Sequence, residues 1–146
     1  LKRGFSLIEL LVAMAIAGLL AALALPGYSH LMNRALRQDA RLSLLRIQHR
    51  QENHFATHLT YSRGLGEGIQ SNGLAVSPRS DEGHYLLELH TRADGMAYTA
   101  VARADPAGRQ STDAHCAQLS IDETGRRRSA DASSIWRDDD PHRCWG

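Results

Sequence analysis

The sequence predicts an α+β roll, in which one long N-terminal helix packs on a four-stranded antiparallel sheet with a C-terminal region bounded by two cysteines. Three observations predict it. An apolar run near the N-terminus passes into a segment of helical periodicity, with no proline between Tyr28 and about Thr57. Beyond residue 83, short segments of alternating character are separated by turn residues. The only two cysteines, Cys116 and Cys144, both lie in the C-terminal third.

The 146 residues suit one modest domain, and the formal net charge of +1 implies no strong general attraction for nucleic acid or anionic membranes. Lys2 is the only lysine, so the basic side is almost all arginine. From Leu10 to Leu25 there is no charged or strongly polar residue. Extended back to Phe5, the run reaches the ~20 residues that cross a bilayer core as a helix. A cleaved secretory signal ending near Ala22-Leu23-Ala24 is the alternative. Against it stand Glu9, which interrupts the start of the apolar region, and the smooth passage into a helical pattern. A carboxylate in such a helix costs about 2.5–3.5 kcal/mol on insertion scales and marks a function or a partner. If the chain were cut between Gly4 and Phe5, Glu9 would sit in the first turns of the new helix, where the helix dipole favours it. The new terminal ammonium of a neighbouring copy would supply its counter-charge.

Gly4-Phe5-Ser6-Leu7-Ile8-Glu9-Leu10 resembles the processing and assembly motif of type IV pilins and type II secretion pseudopilins. The resemblance implies that a prepilin peptidase cuts after Gly4, that Phe5 is N-methylated, and that Glu9 aligns subunits through a salt bridge during assembly. It divides the chain into a leader remnant (1–4), a hydrophobic membrane and filament-core helix (5–27) and a globular head that includes the amphipathic half of the helix (28–146). Gly18 and Pro26 both weaken a helix interior, so the stretch between them loosens more easily than its flanks. The family's corresponding stretch can lose helicity in the filament. Ordinary small residues and one kink are the competing explanation.

The helix from Phe5 would run about 75–80 Å, too long for a compact domain of this size. In its second half, Leu31, Ala35, Leu42 and Leu45 trace one face, widened by Leu44 and Ile47. Arg34, Arg37 and Arg41 trace another, continued by Arg46 and Arg50, and are read as a solvated or intersubunit face rather than as DNA contacts. His54 and His58 lack an obvious third ligand, so no metal is expected there.

Residues 62–83, rich in Gly, Ser and Asn, read as a long surface connection. Strands are expected at 84–90, with Tyr85, Leu87 and Leu89 inward, at 98–102, at 118–122, with Leu119 and Ile121 inward, and at 126–130. Ala93-Asp94-Gly95 and Glu123-Thr124-Gly125 supply turns.

In an oxidising compartment the two cysteines favour a disulfide. Zinc is the rival, because His115-Cys116 and His142-Arg143-Cys144 hold two of each ligand type, but the usual spacing is absent. Leu59-Thr60-Tyr61-Ser62, Tyr98-Thr99-Ala100, the run from Cys116 to Gly125, and Cys144-Trp145 resemble PilE-type minor pilins. That resemblance implies the type IV pilin roll, with the Cys116–Cys144 bond closing its C-terminal region. Trp145 is expected to pack against the sheet and disulfide, Trp136 either to pack or to meet a partner, and Asp138-Asp139-Asp140 to form a solvated turn ending at Pro141 rather than a calcium loop.

The function implied by the resemblance is that of a structural minor pilin of a type IV pilus, supporting twitching motility, adhesion or DNA uptake. Its partners would be other pilin subunits, the peptidase and the inner membrane, with extracellular DNA or a host surface as candidate ligands. The chain would sit in the inner membrane as a single-pass protein, head in the periplasm, and then in the extracellular pilus. A DNA-binding minor pilin for natural transformation and a secretion pseudopilin are the alternatives. Without Lys2 and Arg3, 15 of the 17 basic residues face 16 acidic ones. Any DNA site must therefore be a local patch, with Arg126, Arg127, Arg128 and Trp136 as candidate contacts. No nucleophile elbow, phosphate loop or metal cluster is visible, so neither catalysis nor a cofactor is expected.

Overall fold

Helix α1 spans Leu7–His58 and ends where Leu59 adopts a left-handed backbone (φ 58°), its N–H still reaching Phe55 O at 2.8 Å. The computed structural model describes residues 6–66, 73–138 and 143–146. The chain divides into two units, one ending at Asn33 and one running from Arg34 to Gly146. In the first, Leu7, Leu11, Ile16 and Leu20 are among the apolar side chains that are exposed.

In the second unit the strands are β1 (Tyr85–Thr91), β2 (Tyr98–Ala104), β3 (Gln118–Asp122), β4 (Arg127–Ala130) and β5 (Trp136–Asp138). All pair antiparallel in sequence order, giving a five-stranded meander. Four strands were expected from the residues. The added β5 is three polar-flanked residues without alternation, held by pairing to β4 through Arg128, Ser129 and Ala130. Gly95 (φ 71°) closes the β1–β2 turn, and its carbonyl accepts from Tyr61 N at 2.8 Å. A Cβ there would lie 3.0 Å from Thr60 Cβ, so both backbone and space call for glycine.

Leu44 and Ile47 of α1 pack with Tyr85, Tyr98, Leu119 and Ile121 in the core. The helix stripe read from the sequence is therefore corrected. Ala40, Leu44, Ile47 and the amide of Gln51 face the sheet, while Leu42 (62% exposed) and Leu45 (39%) point away. This half of α1 carries two apolar stripes, and a 3.6-residue period cannot say which one the sheet covers. Gln51 is buried at no cost in unpaired groups. Its Nε2 donates to Ser62 O (3.0 Å) and its Oε1 accepts from Ser62 N (2.8 Å), pinning the chain after the helix. Burial pushes the Tyr85 and Tyr98 phenols well above the ordinary tyrosine range.

The connection 62–83 is more than surface. Leu74, Val76 and Ser80 are buried, and Arg79 bridges Leu86 at the sheet edge. Cys116 and Cys144 are bonded, with Cα atoms 5.7 Å apart, so neither sulfur is available as a zinc ligand.

Candidate functional site

Gly4 and Phe5 lie outside the described residues. Glu9 falls in the first turn of α1 and is exposed, where unpaired helix N–H groups favour an anion. The backbone of α1 passes through Gly18 and Pro26, and a Cβ at Gly18 would meet nothing within 4 Å. Among the described residues no helix is long and apolar enough to cross a membrane; side chains 23–27 of the apolar run are not among them.

Arg34, Arg46 and Arg50 are exposed, as expected of a solvated or intersubunit face, but Arg37 and Arg41 are not. Arg37 Nε and Nη2 reach both carboxylate oxygens of Asp113 at 2.6 and 2.9 Å, and Nη1 donates to Arg143 O at 3.0 Å. Arg41, only 7% exposed, donates to Cys144 O (2.6 Å) and Gly146 O (2.7 Å). Between them Asp39, 5% exposed, accepts from Ser80 Oγ (2.6 Å), Glu82 N (3.1 Å) and His84 N (3.3 Å). Three alternate helix positions thus tie down the β2–β3 connection, the loop before β1 and the cysteine-bounded C-terminal segment. Charge-assisted bonds to backbone are strong enough to offset burial of these ions.

Arg126, Arg127 and Arg128 do not form one patch. Strand alternation sends Arg126 and Arg128 to one face, where Arg126 Nη2 lies 2.5 Å and Arg128 Nε 3.3 Å from the carboxylate of Asp138. Arg127 stacks 5.2 Å over the ring of Trp145, which is buried and donates from Nε1 to Arg128 O (3.1 Å). Trp136 on β5 stays 39% exposed. Asp138 is an ion-paired strand residue rather than part of a solvated turn, and residues 139–142 lie outside the described set.

A second basic site was only half legible. Arg46 and Arg50, one turn apart on α1, line a recess of about 270 Å³ with Arg79, Ser43 and Ser77. Helical spacing gives the first two; Arg79 arrives from the irregular connection. Arg46 binds Asp81 through two 2.6 Å bonds, which raise its own pKa and hold the Asp81 carboxyl below the usual carboxylate range. Arg79 pairs with Asp105 at 2.5 Å, and Arg50 has no side-chain partner among the described residues. Ala75, on the rim, holds a left-handed backbone (φ 52°), a conformation that costs a non-glycine residue about 1–3 kcal/mol and gathers at functional surfaces.

A family profile described as type IV minor pilin ComP, DNA uptake sequence receptor, matches residues 26–120. The chain belongs to this family of type IV minor pilins. The prokaryotic N-terminal methylation motif matches residues 1–25 of the pilin. It is 33% identical to the type IV major pilin protein PilE1 of Neisseria gonorrhoeae over 63% of its own length and 53% of that protein. It is 37% identical to the type IV major pilin protein PilA of Myxococcus xanthus over 42% of its length and 28% of that protein. The pilin thus spans about half the length of the gonococcal relative, and less of the myxococcal one. A solved type IV pilin from Shewanella oneidensis superposes with a TM-score of 0.47 at 24% identity, covering 65% of this chain and 89% of that one.

Proposed function

We propose that this pilin is a minor structural subunit of a type IV pilus whose head contacts duplex DNA. The N-terminus supports the first part. Cleavage after Gly4 would free Phe5 for methylation, and Glu9 would neutralise the terminal ammonium of a neighbouring subunit. The apolar helix, residues 5–27, would hold the chain in the inner membrane before assembly and in the filament core afterwards. A Glu9→Ala variant is expected to be processed normally but to appear in sheared filaments at a small fraction of the wild-type level. Wild-type incorporation of that variant would remove Glu9 from assembly.

The match of residues 26–120 to a DNA uptake receptor family carries the second part. The recess bearing Arg46, Arg50 and Arg79 lies within that span. It is the favoured phosphate contact over Arg126 and Arg128, which share one carboxylate. Arg50, without a side-chain partner among the described residues, would meet a phosphate directly, while Arg46 and Arg79 would exchange a carboxylate for one. Full-length protein in micelles should bind duplex DNA with an affinity that falls steeply with salt. Arg50→Ala should lower the slope of log K against log salt by about 1. An unchanged slope would move the contact elsewhere, and no shift at low ionic strength would reject DNA binding.

A further inference from the structure

The sheet face turned away from α1 is hollow. Across it, Glu88, Val101, Ser120 and Arg128 stand side by side on β1 to β4. Val101, Ser120 and the neighbouring Gln118 are each no more than 5% exposed although they lie on the side away from the helix. Longer side chains rise around them and border an open recess of about 390 Å³, with Trp136 as one wall.

The polar groups of this cavity are not fully used internally. The Arg128 Nε is buried without a hydrogen bond: Asp138 Oδ1 lies 3.3 Å away but out of line. The hydroxyls of Ser120 and Thr99 have no side-chain partner among the described residues. Each arginine at the cavity faces a carboxylate, Arg103 with Glu88 at 3.4 Å and Arg128 with Asp138. Asp138 also holds Arg126, so cations slightly outnumber carboxylates, but each cation at the cavity has an acceptor set beside it. A phosphate is repelled by carboxylates that stay beside the cations it would meet. A neutral polyol needs alternating donors and acceptors. A pyranose ring also presents an apolar C–H face, which suits the electron-rich face of an indole.

The geometry points to a carbohydrate subsite on this outer face, with Trp136 as the stacking platform and Ser120, Thr99, Arg103 and Arg128 as hydroxyl partners. The cavity lies at the lower end of the ~300–1,000 Å³ of small-molecule sites, which suits one or two sugar rings. The inference is independent of the DNA reading, because it uses none of Arg46, Arg50 and Arg79.

The test uses the full chain in a sugar-free detergent. Methyl β-galactoside, methyl β-glucoside and N-acetylglucosamine are offered in turn at millimolar concentration. Saturation transfer to the sugar protons is read together with the indole N–H signals of the two tryptophans. The expected result is saturation transfer to at least one sugar, with the Trp136 signal moving and the Trp145 signal still. Trp136→Ala should weaken binding about tenfold. Thr99→Val keeps the side-chain shape and should weaken it several-fold, so a folding defect in the first variant does not hide the answer. Failure of all three sugars, or unchanged binding in both variants, overturns the proposal. So does a short DNA duplex that moves the Trp136 signal when no sugar does.

Discussion

Asp113→Ala is expected to destabilise the head by about 3–5 kcal/mol, the usual cost of breaking a buried ion pair from one side. The substitution strips Arg37 of two bonds at 2.6 and 2.9 Å and Gln110 Nε2 of a third at 2.9 Å. The Arg37 and Asp113 side chains are only 14% and 4% exposed, so water cannot take over. The discount that applies to surface pairs such as Arg46–Asp81, with side chains 47% and 59% exposed, does not apply here. Asp113→Asn keeps the shape and one acceptor and should fall between the two. Urea unfolding of the three proteins checks this, and a loss below about 1 kcal/mol for the alanine variant would mean that the pair contributes no more than an exposed one.

Removing the Cys116–Cys144 bond is the second large effect. The cysteines are 28 residues apart, and closing such a loop is worth about 3.5 kcal/mol on the chain-entropy account. The C-terminal end of that loop also carries Cys144 O, an acceptor of Arg41, and Arg143 O, an acceptor of Arg37. Without the cross-link these acceptors can leave while the guanidinium of Arg41 stays buried. The serine pair and Arg41→Met should therefore be less than additive, with a coupling of about 0.5–3 kcal/mol in a double-mutant cycle. Strict additivity would show that the disulfide and the arginine hold the segment independently.

The sheet was readable because its strands alternate cleanly: Tyr85 and Leu87, then Leu119 and Ile121, point inward as their spacing requires. The helix was readable from its period, but the face it buries was not, since Leu44 and Leu45 are equally apolar and only one is covered. The buried charges were hidden for a different reason. Arg41 meets carbonyl oxygens more than a hundred residues away, and a carbonyl leaves no mark in a sequence. Leu74 and Val76 were lost in the polar composition around them. At the N-terminus the motif was legible at once, because its chemistry is local: a scissile glycine and one acid in an apolar run.

The helix contacts made by Asp39 and Arg41 have a consequence for how this protein can diversify. Among the described residues, and apart from Ser80, their hydrogen-bond partners are main-chain atoms: Glu82 N, His84 N, Cys144 O and Gly146 O. Every amino acid offers the same carbonyl, and all but proline the same N–H. Substitutions at 82, 84 and 146 therefore leave the tethers in place. The loops of the head can drift in what they display while remaining fixed in where they are held.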